Sequence, residues 1–377
     1  MKKLTDICDI QYGYAFDSKC FTEDPLYPPL VRIRDVKRGY SETYYSGDYP
    51  EEYLITSGDL LIGMDGEFNI ARWKSDRALL NQRVCKLTAK KGTNEEYLRF
   101  VMSKVLKEIE QKTAFVTVKH LSAKELNKLY LNVPELSEQN KIAEMLSRLE
   151  KIIDMRRREI EKLDDLIKSR FVEMFGDCVV NPKGWKTKYL DDIAEVGSSK
   201  RVFVEELQES GIPFYRGTEV GALAEGKQIS PELFITEEHY AELCKAAGAP
   251  QKGDLLMPSI CPDGRIWVVN TGEPFYFKDG RVLWVHAIDN CYNPVFLSYT
   301  LKNRIMADYS SIASGTTFAE LKIFALKKCR IFDVPITLQN KFAAFVTQTD
   351  KSKLFVNVYF ILIFCCFRCI INTSVKQ

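Results

Sequence analysis

Two stretches near the start of the chain concentrate side chains that could hydrogen-bond to DNA. Arginine and lysine suit guanine, asparagine and glutamine suit adenine, and lysine, serine and threonine suit phosphates. The first stretch is a basic cluster at 32–38 beside Tyr40, and the second is Asn81-Gln82-Arg83. A third segment, 117–120, suits phosphate contact. For each side chain the alternative is an ordinary exposed polar group. The candidates are Arg32, Arg34, Lys37, Arg38, Asn81, Gln82, Arg83, Thr117, Lys119 and His120.

A second set of the same residue types follows in the other half of the chain. The formal net charge is only +2, so bulk electrostatics do not indicate a nucleic-acid partner. DNA binding would therefore depend on local clusters. The second set is Lys200, Arg201, Arg216, Arg265, Arg281, Thr316 and Thr317.

Motifs for phosphate or nuclease chemistry are weak. Gly221 to Lys227 has the spacing of a phosphate-binding loop, but Gln228 stands where a hydroxyl would hold magnesium, and no apolar strand precedes it. Pro262-Asp263 with Glu320-Leu321-Lys322 resembles a nuclease pattern only in short fragments that recur by chance. The sequence predicts neither activity.

Other catalytic and metal patterns are also missing. The three histidines have no serine or cysteine partner at an informative spacing, and Asn181-Pro182 and Asn293-Pro294 indicate turns instead of a methyltransferase site. Eleven cysteines, mostly isolated, indicate reduced thiols in the cytoplasm, and the Cys366/Cys369 pair has no second pair to complete a zinc site. We expect no catalytic residue, no metal and no cofactor on this chain.

The elements that must position the candidate residues occur twice. Three motifs of the first half return in the same order in the second: Gly-Asp-Leu-Leu at 58–61 and 253–256, Val-Pro at 133–134 and 334–335, and Gln-Asn-Lys at 139–141 and 339–341. Apolar runs at 30–36, 60–64 and 84–87 predict strands, and the helical period of 95–112 predicts a helix. Strands at 213–215, 266–269 and 282–285 and a helix at about 294–307 correspond in the second half. Each copy is predicted to be α+β.

A long helix is predicted between the copies. Residues 135–175 contain no glycine or proline, follow Pro134 and precede Gly176, which gives a helix of about 60 Å. Its apolar residues alternate at intervals of four and three, the pattern of a coiled-coil seam. Two arginines in the seam specify a register or a partner contact, or are simply solvated. The seam and candidate subunit interface is Ile142, Leu146, Leu149, Ile153, Arg156, Ile160, Leu163, Ile167, Arg170 and Met174.

The second long helix begins in the same way and then departs from the pattern. Phe342 and Val346 restart the seam, whereas Thr349 and Lys353 do not continue it. We predict the domains 1–134, 135–176 and 177–335, the start of a second helix at 336–353, and an aberrant apolar tail at 354–377. Residues 354–371 are about long enough to span a bilayer, although Asn357 and Arg368 would be costly there.

Taken together, these motifs resemble the specificity subunit of type I restriction-modification systems over about residues 1–353. That family alternates two target-recognition domains with two conserved helical regions. The departing tail resembles out-of-frame translation. The motifs that carry the resemblance are Leu30-Val31-Arg32-Ile33-Arg34-Asp35-Val36, Ser57-Gly58-Asp59-Leu60-Leu61, Met64-Asp65-Gly66-Glu67-Phe68, Leu80-Asn81-Gln82-Arg83-Val84, Thr117-Val118-Lys119-His120-Leu121, Val133-Pro134 with Glu138-Gln139, Gly315-Thr316-Thr317 and Pro335 to Gln339.

The resemblance implies a non-catalytic, cytoplasmic DNA-binding subunit in which each module recognises half of a split target. It implies two methyltransferase subunits using S-adenosylmethionine, and restriction subunits using ATP and magnesium. Three alternatives remain: a catalytic nuclease-methyltransferase, which the missing motifs disfavour, a truncated or silent specificity allele, and a membrane-anchored scaffold.

Overall fold

The computed structural model describes residues 1–112, 120–314 and 319–374, with side chains up to Val356. The predicted contacts Thr117, Lys119, Thr316 and Thr317 lie outside the described residues. The chain divides into two compact units. One is Ile160–Leu354, and the remainder of the described chain forms the other. Both mix helices and sheets, which confirms the predicted α+β class.

The first unit contains the first module, built from many short strands around one principal helix. Short 3-10 turns at Ser18–Cys20 and Glu51–Tyr53 join some of them. The elements are β1 (Lys2–Lys3), α1 (Leu4–Ile7), β2 (Cys8–Tyr12), β3 (Phe21–Thr22), β4 (Leu30–Val31), α2 (Ile33–Arg38), β5 (Tyr44–Tyr45), β6 (Leu54–Ile55), β7 (Leu60–Gly63), β8 (Asn69–Arg72), β9 (Ala78–Leu80), β10 (Val84–Ala89), α3 (Glu95–Lys112), α4 (Ala123–Leu126) and β11 (Tyr130–Leu131).

The long helix α5 (Leu136–Phe175) follows and contributes to both units. The second module then follows with a similar order of short strands and helices. Its elements, with the final helix, are β12 (Thr187–Tyr189), β13 (Glu195–Gly197), β14 (Ile212–Tyr215), α6 (Gly217–Ala224), β15 (Phe234–Ile235), α7 (Glu237–Ala247), β16 (Leu255–Pro258), β17 (Trp267–Val268), β18 (Tyr276–Phe277), β19 (Val282–His286), α8 (Pro294–Ile312), β20 (Ala313–Ser314), β21 (Glu320–Leu321), α9 (Ile323–Lys327), β22 (Arg330–Phe332) and α10 (Ile336–Ser374).

The two modules share the main part of their sheet topology. They differ at the third strand beside the parallel pair, which is β6 on β9 in the first module and β15 on β14 in the second. The four-stranded antiparallel sheets have the orders β2-β10-β7-β8 and β13-β19-β16-β17, and each module also pairs its first and last strands, β1 with β11 and β12 with β22. A parallel pair recurs as well, β4 with β9 and β14 with β18. The duplication inferred from short motifs is therefore a duplication of fold.

The repeated Gly-Asp-Leu-Leu motif forms the same tight turn into a buried strand. Gly58 and Gly253 have φ angles of +96° and +99°, a region that side chains disfavour. The following carboxylates, Asp59 and Asp254, each accept a backbone N–H from three residues earlier at 2.8 Å. The motif recurs because this backbone shape needs both residue types.

The strand predicted at 30–36 is wrong beyond its first two residues. After β4, the Asp35 carboxylate accepts the backbone N–H of Arg32 at 2.9 Å and starts α2, which Gly39 ends with a φ of +82°. The second module does the same, with Glu219 accepting the N–H of Arg216 at 2.8 Å at the start of α6. Local capping therefore outweighs the β-branched residues of this segment.

A buried glutamine fixes the start of each long helix. Gln139 accepts the N–H of Asn94 at 2.8 Å and donates to the carbonyls of Gly92 and Pro134 at 3.2 and 2.9 Å. Gln339 makes the matching three bonds to Asn293, Cys291 and Val334 at 2.8, 3.0 and 2.8 Å. The neighbouring Asn140 and Asn340 bind the same two asparagines at 2.8 Å. These bonds explain the glutamine and asparagine of the repeated Gln-Asn-Lys motif.

Helix α5 places the ten seam positions on its less exposed face, since each is buried or half-buried. The two seam arginines pair along their own helix, Arg156 with Glu159 at 2.6 Å and Arg170 with Glu173 at 2.8 Å. The Arg170 guanidinium also lies 5.8 Å from the Phe345 ring centroid. Their role at a subunit interface stays a prediction.

The sequence predicts the start of the second long helix at 336–353, whereas helix α10 continues to Ser374. Its polar positions have partners: the Thr349 hydroxyl donates to the Phe345 carbonyl at 2.9 Å, and Lys353 contacts Asp164 at 2.6 Å and Asp350 at 2.9 Å. Among the residues whose side chains the structure describes, no helix has the length and apolar content to cross a bilayer. Most of the 354–371 run lies outside them.

Candidate nucleic-acid interface

In the first module, α2 presents the predicted basic cluster to solvent. Arg34, Lys37 and Arg38 are all exposed, and their carboxylate contacts are long, at 3.7, 3.4 and 3.9 Å. Arg32 precedes the helix and is exposed, and its guanidinium has no carboxylate within 4.0 Å among the described residues. Exposed ion pairs contribute little, so these cations can exchange their partners for phosphates at low cost.

The Asn81-Gln82-Arg83 segment is a turn between β9 and β10. The Asn81 side-chain oxygen accepts the Gln82 N–H at 2.9 Å, so this oxygen is already used within the turn. Gln82 and Arg83 are exposed. The structure therefore leaves Gln82 and Arg83 freer to contact a ligand than Asn81.

Arg83 belongs to a three-residue cluster with Asp65 and His120. The Asp65 carboxylate lies 3.4 Å from Arg83 Nε and 2.5 Å from His120 Nδ1, and Arg83 Nη1 lies 3.3 Å from the same His120 nitrogen. Of the three, only Asp65 was absent from the sequence-predicted set. Its acidic charge gave no reason to place it at an anion-binding surface.

Tyr14 is a second residue that sequence reasoning missed. It is 41% exposed, pairs with Asn81 as an isolated parallel bridge, and packs against Phe16 and Tyr53 with ring centroids 5.1 Å apart in both cases. A Cβ on the preceding Gly13 would collide with the Asn81 carbonyl oxygen. A glycine followed by an aromatic residue just after a strand was the available signal.

In the second module, a cavity of about 390 Å³ brings together residues that are far apart in sequence. Arg201, Lys278 and Arg281 line it together with the acidic Glu205 and Asp279. The Arg201 guanidinium lies 5.3 Å from the ring centroid of Phe203, which is 54% exposed. Lys200 is exposed next to Arg201. The sequence singled out Arg201 and Arg281 but not Lys278 or Phe203.

Arg216 and Arg265 are held by carboxylates instead. Arg265 contacts Asp263 at 2.8 Å and Glu225 at 3.2 Å. Arg216 contacts Glu219 at 2.7 Å and Glu232 at 3.3 Å. Two carboxylates on each guanidinium reduce its availability for DNA, and their DNA contacts stay predictions.

The pKa of Glu219 reflects this pairing. Burial alone would raise it, but bonds from the Arg216 guanidinium, the Arg216 backbone N–H and the Thr218 hydroxyl lower the pKa to about 2. The pair is therefore ionised throughout the neutral range.

The two buried cysteine thiols of the first module's four-stranded sheet are not poised as nucleophiles. Burial is the main cause that raises the pKa of Cys8 and of Cys85 to about 12. Within the described ranges, no group of three or more His, Cys, Asp or Glu side chains could hold a metal ion.

Comparison with known proteins agrees with the duplicated fold. The family model of the type I restriction modification DNA specificity domain matches residues 1–165 and 182–355. The EcoBI specificity subunit of Escherichia coli is 40% identical over 166 residues, which cover 44% of this chain and 35% of that protein. The match therefore spans about a third of that relative's length. The MjaIX specificity subunit of Methanocaldococcus jannaschii is 27% identical over 71% of this chain and 65% of its own length.

Solved structures share the fold at low identity. A type I restriction-modification S subunit from M. genitalium has a TM-score of 0.56 and 14% identity, covering 100% of this chain and 96% of its own. A chain from a study of type I complex assembly and conformational transition has a TM-score of 0.54 and 16% identity, covering 99% and 96%.

Proposed function

This chain belongs to the family of type I restriction modification DNA specificity domains, and we propose that it is the non-catalytic specificity subunit of such a complex. Each module recognises one half of a bipartite DNA target, and the long helices set the spacing between the halves. One observation carries the proposal: the two family matches coincide with two modules that share the strand order of their four-stranded sheet and the pairing of their first and last strands.

The chemistry of the described surfaces supports recognition of DNA. Exposed cations on α2 and around the Arg201 cavity suit phosphates, which position a protein on the duplex. Gln82 suits adenine and Arg83 suits guanine in the major groove. Such contacts bind and orient DNA but break no bond.

The reaction steps would then belong to partner subunits. Two methyltransferase subunits would modify adenine with S-adenosylmethionine, and restriction subunits would use ATP and magnesium. The relatives' names as restriction enzyme specificity subunits support this assignment. We place the complex in the cytoplasm.

A gel shift tests the recognition step. The purified chain should retard duplex DNA, with binding that weakens steeply as salt rises from about 50 to 200 mM. A fraction of host-genome fragments should remain bound to the chain in the presence of excess nonspecific competitor DNA. If no fragment is retained at any salt concentration, the proposal fails.

A further inference from the structure

Backbone hydrogen bonds place Arg83 and Arg281 at the same position in the two modules. In the first module, the Met64 N–H donates to the Arg83 carbonyl at 3.0 Å, and the Leu121 N–H donates to the Met64 carbonyl at 2.7 Å. In the second, the Ser259 N–H donates to the Arg281 carbonyl at 2.9 Å, and the Leu321 N–H donates to the Ser259 carbonyl at 2.7 Å. The same three backbone segments therefore surround both arginines.

Each arginine contacts a carboxylate, but from a different segment. Asp65 follows Met64 and lies 3.4 Å from Arg83 Nε. In the second module Ile260 occupies that place, and the carboxylate is Glu320, which precedes Leu321 and contacts Arg281 Nη1. The residue of the first module that corresponds to Glu320 is His120. Both modules thus pair the arginine with a carboxylate, but the carboxylate comes from a different sequence position in each module.

Stability does not account for this repetition. Arg83 and Arg281 are 50% and 57% exposed, and ion pairs at such positions contribute little to folding. A carboxylate does restrict the rotamers of a long side chain, and that ordering otherwise opposes binding. Contact at Nε leaves the two terminal nitrogens of Arg83 without a carboxylate, with Nη1 lying 3.3 Å from the exposed His120 ring, and contact at Nη1 leaves Nε and Nη2 of Arg281 without one. Either pair of N–H groups can bind O6 and N7 of guanine.

We propose that Asp65 and Glu320 are positioning residues that orient Arg83 and Arg281 to recognise one guanine in each half of the DNA target. This inference rests on the proposed function and adds which residues set base preference. Neither carboxylate touches the base. Each acts through its arginine.

Selection from random-sequence duplex DNA by the purified full-length chain, followed by sequencing, tests the inference. Arg83→Ala should abolish guanine preference at one position of one half. Asp65→Asn should weaken that preference about tenfold and change total affinity less than about threefold. Glu320→Gln should do the same in the other half. Asp48→Asn is the matched control, since Asp48 is an exposed acid without a cation within 4.0 Å among the described residues. This variant should retain the guanine preference in both halves of the target.

A rescue variant separates positioning from folding. Asp65→Ala should lose the preference, and adding His120→Glu should restore it by supplying the carboxylate from the position used in the second module. Thermal melting of each variant should match the wild type. The inference is overturned if Asp65→Asn keeps the guanine preference within about twofold, if Arg83→Ala keeps it, or if the rescue fails in a folded protein. A wild-type chain that selects no motif would instead overturn the proposed function itself.

Discussion

The two buried glutamines give the sharpest prediction about what holds each module to its long helix. Gln139 and Gln339 are 1% and 0% exposed, and each makes three hydrogen bonds to backbone groups of the preceding segments. Methionine has a similar volume but cannot make these bonds, so the substitution leaves little cavity. Gln139→Met and Gln339→Met therefore test the bonds themselves.

The magnitude follows from the bonds lost. A net contribution of about 1 kcal/mol for each bond predicts a loss of about 3 kcal/mol, with a range of about 2–4 kcal/mol because water can reach some of the partners. A chain of two units does not unfold as a single two-state system, so local opening is the proper measurement. Hydrogen exchange followed by mass spectrometry reports it peptide by peptide.

Gln139→Met should speed exchange at the start of α3 by about 30- to 1000-fold and leave α8 unchanged. Gln339→Met should speed exchange at the start of α8 and leave α3 unchanged. Gln228→Met, at an exposed glutamine, is the matched control and should change neither helix. If protection at α3 stays within about threefold of the control, the glutamine bonds do not secure the helix.

Three further predictions concern pH, salt and a partly buried ion pair. Glu219→Gln should lower the unfolding midpoint of the second unit at neutral pH. Because the native pKa is lowered to about 2 from an ordinary 4.5, this deficit should shrink as pH falls through that interval, and a deficit that stays constant in a denaturation series would contradict the pairing. Arg201→Ala should reduce the slope of log affinity against log salt by about 1, measured by fluorescence anisotropy on duplex DNA, whereas an unchanged slope would show that Arg201 makes no phosphate contact. Arg99 is 16% exposed and its partner Glu150 is 43% exposed, and Arg99 donates two bonds to it at 2.6 and 3.1 Å, so Arg99→Met should destabilise the first unit by about 1.5 kcal/mol. Its control, Arg148→Met, removes a 75% exposed arginine and should cost under about 0.5 kcal/mol; equal losses in chemical denaturation would refute the distinction.

The sequence predicts most strongly where one local rule determines the structure. The uninterrupted period of α3 gives its bounds, and Pro134 and Gly176 bracket α5, because helix periodicity and breakers act locally. The segment after β4 was missed because a capping bond, from the Arg32 backbone N–H to the Asp35 carboxylate, decides its conformation. The heptad pattern did not indicate the end of α10, since a helix can continue after its apolar seam is lost.

The site was predictable in residue type but not in pairing. Arg83 and His120 could be chosen as hydrogen-bond donors, whereas their shared partner Asp65 depends on a contact between distant segments. Arg216 and Arg265 were equally plausible, and only the structure shows that two carboxylates hold each one. Lys278 became a candidate only because folding brings it to the Arg201 cavity.

The central claim is that two modules recognise two halves of one DNA target for partner enzymes. Methylome sequencing of a host that carries this chain with its methyltransferase subunits tests it most directly. We predict adenine methylation at one bipartite motif, with two specified halves separated by a fixed unspecified spacer. Absence of motif-specific methylation with intact partners, or methylation at a continuous motif, would contradict the account.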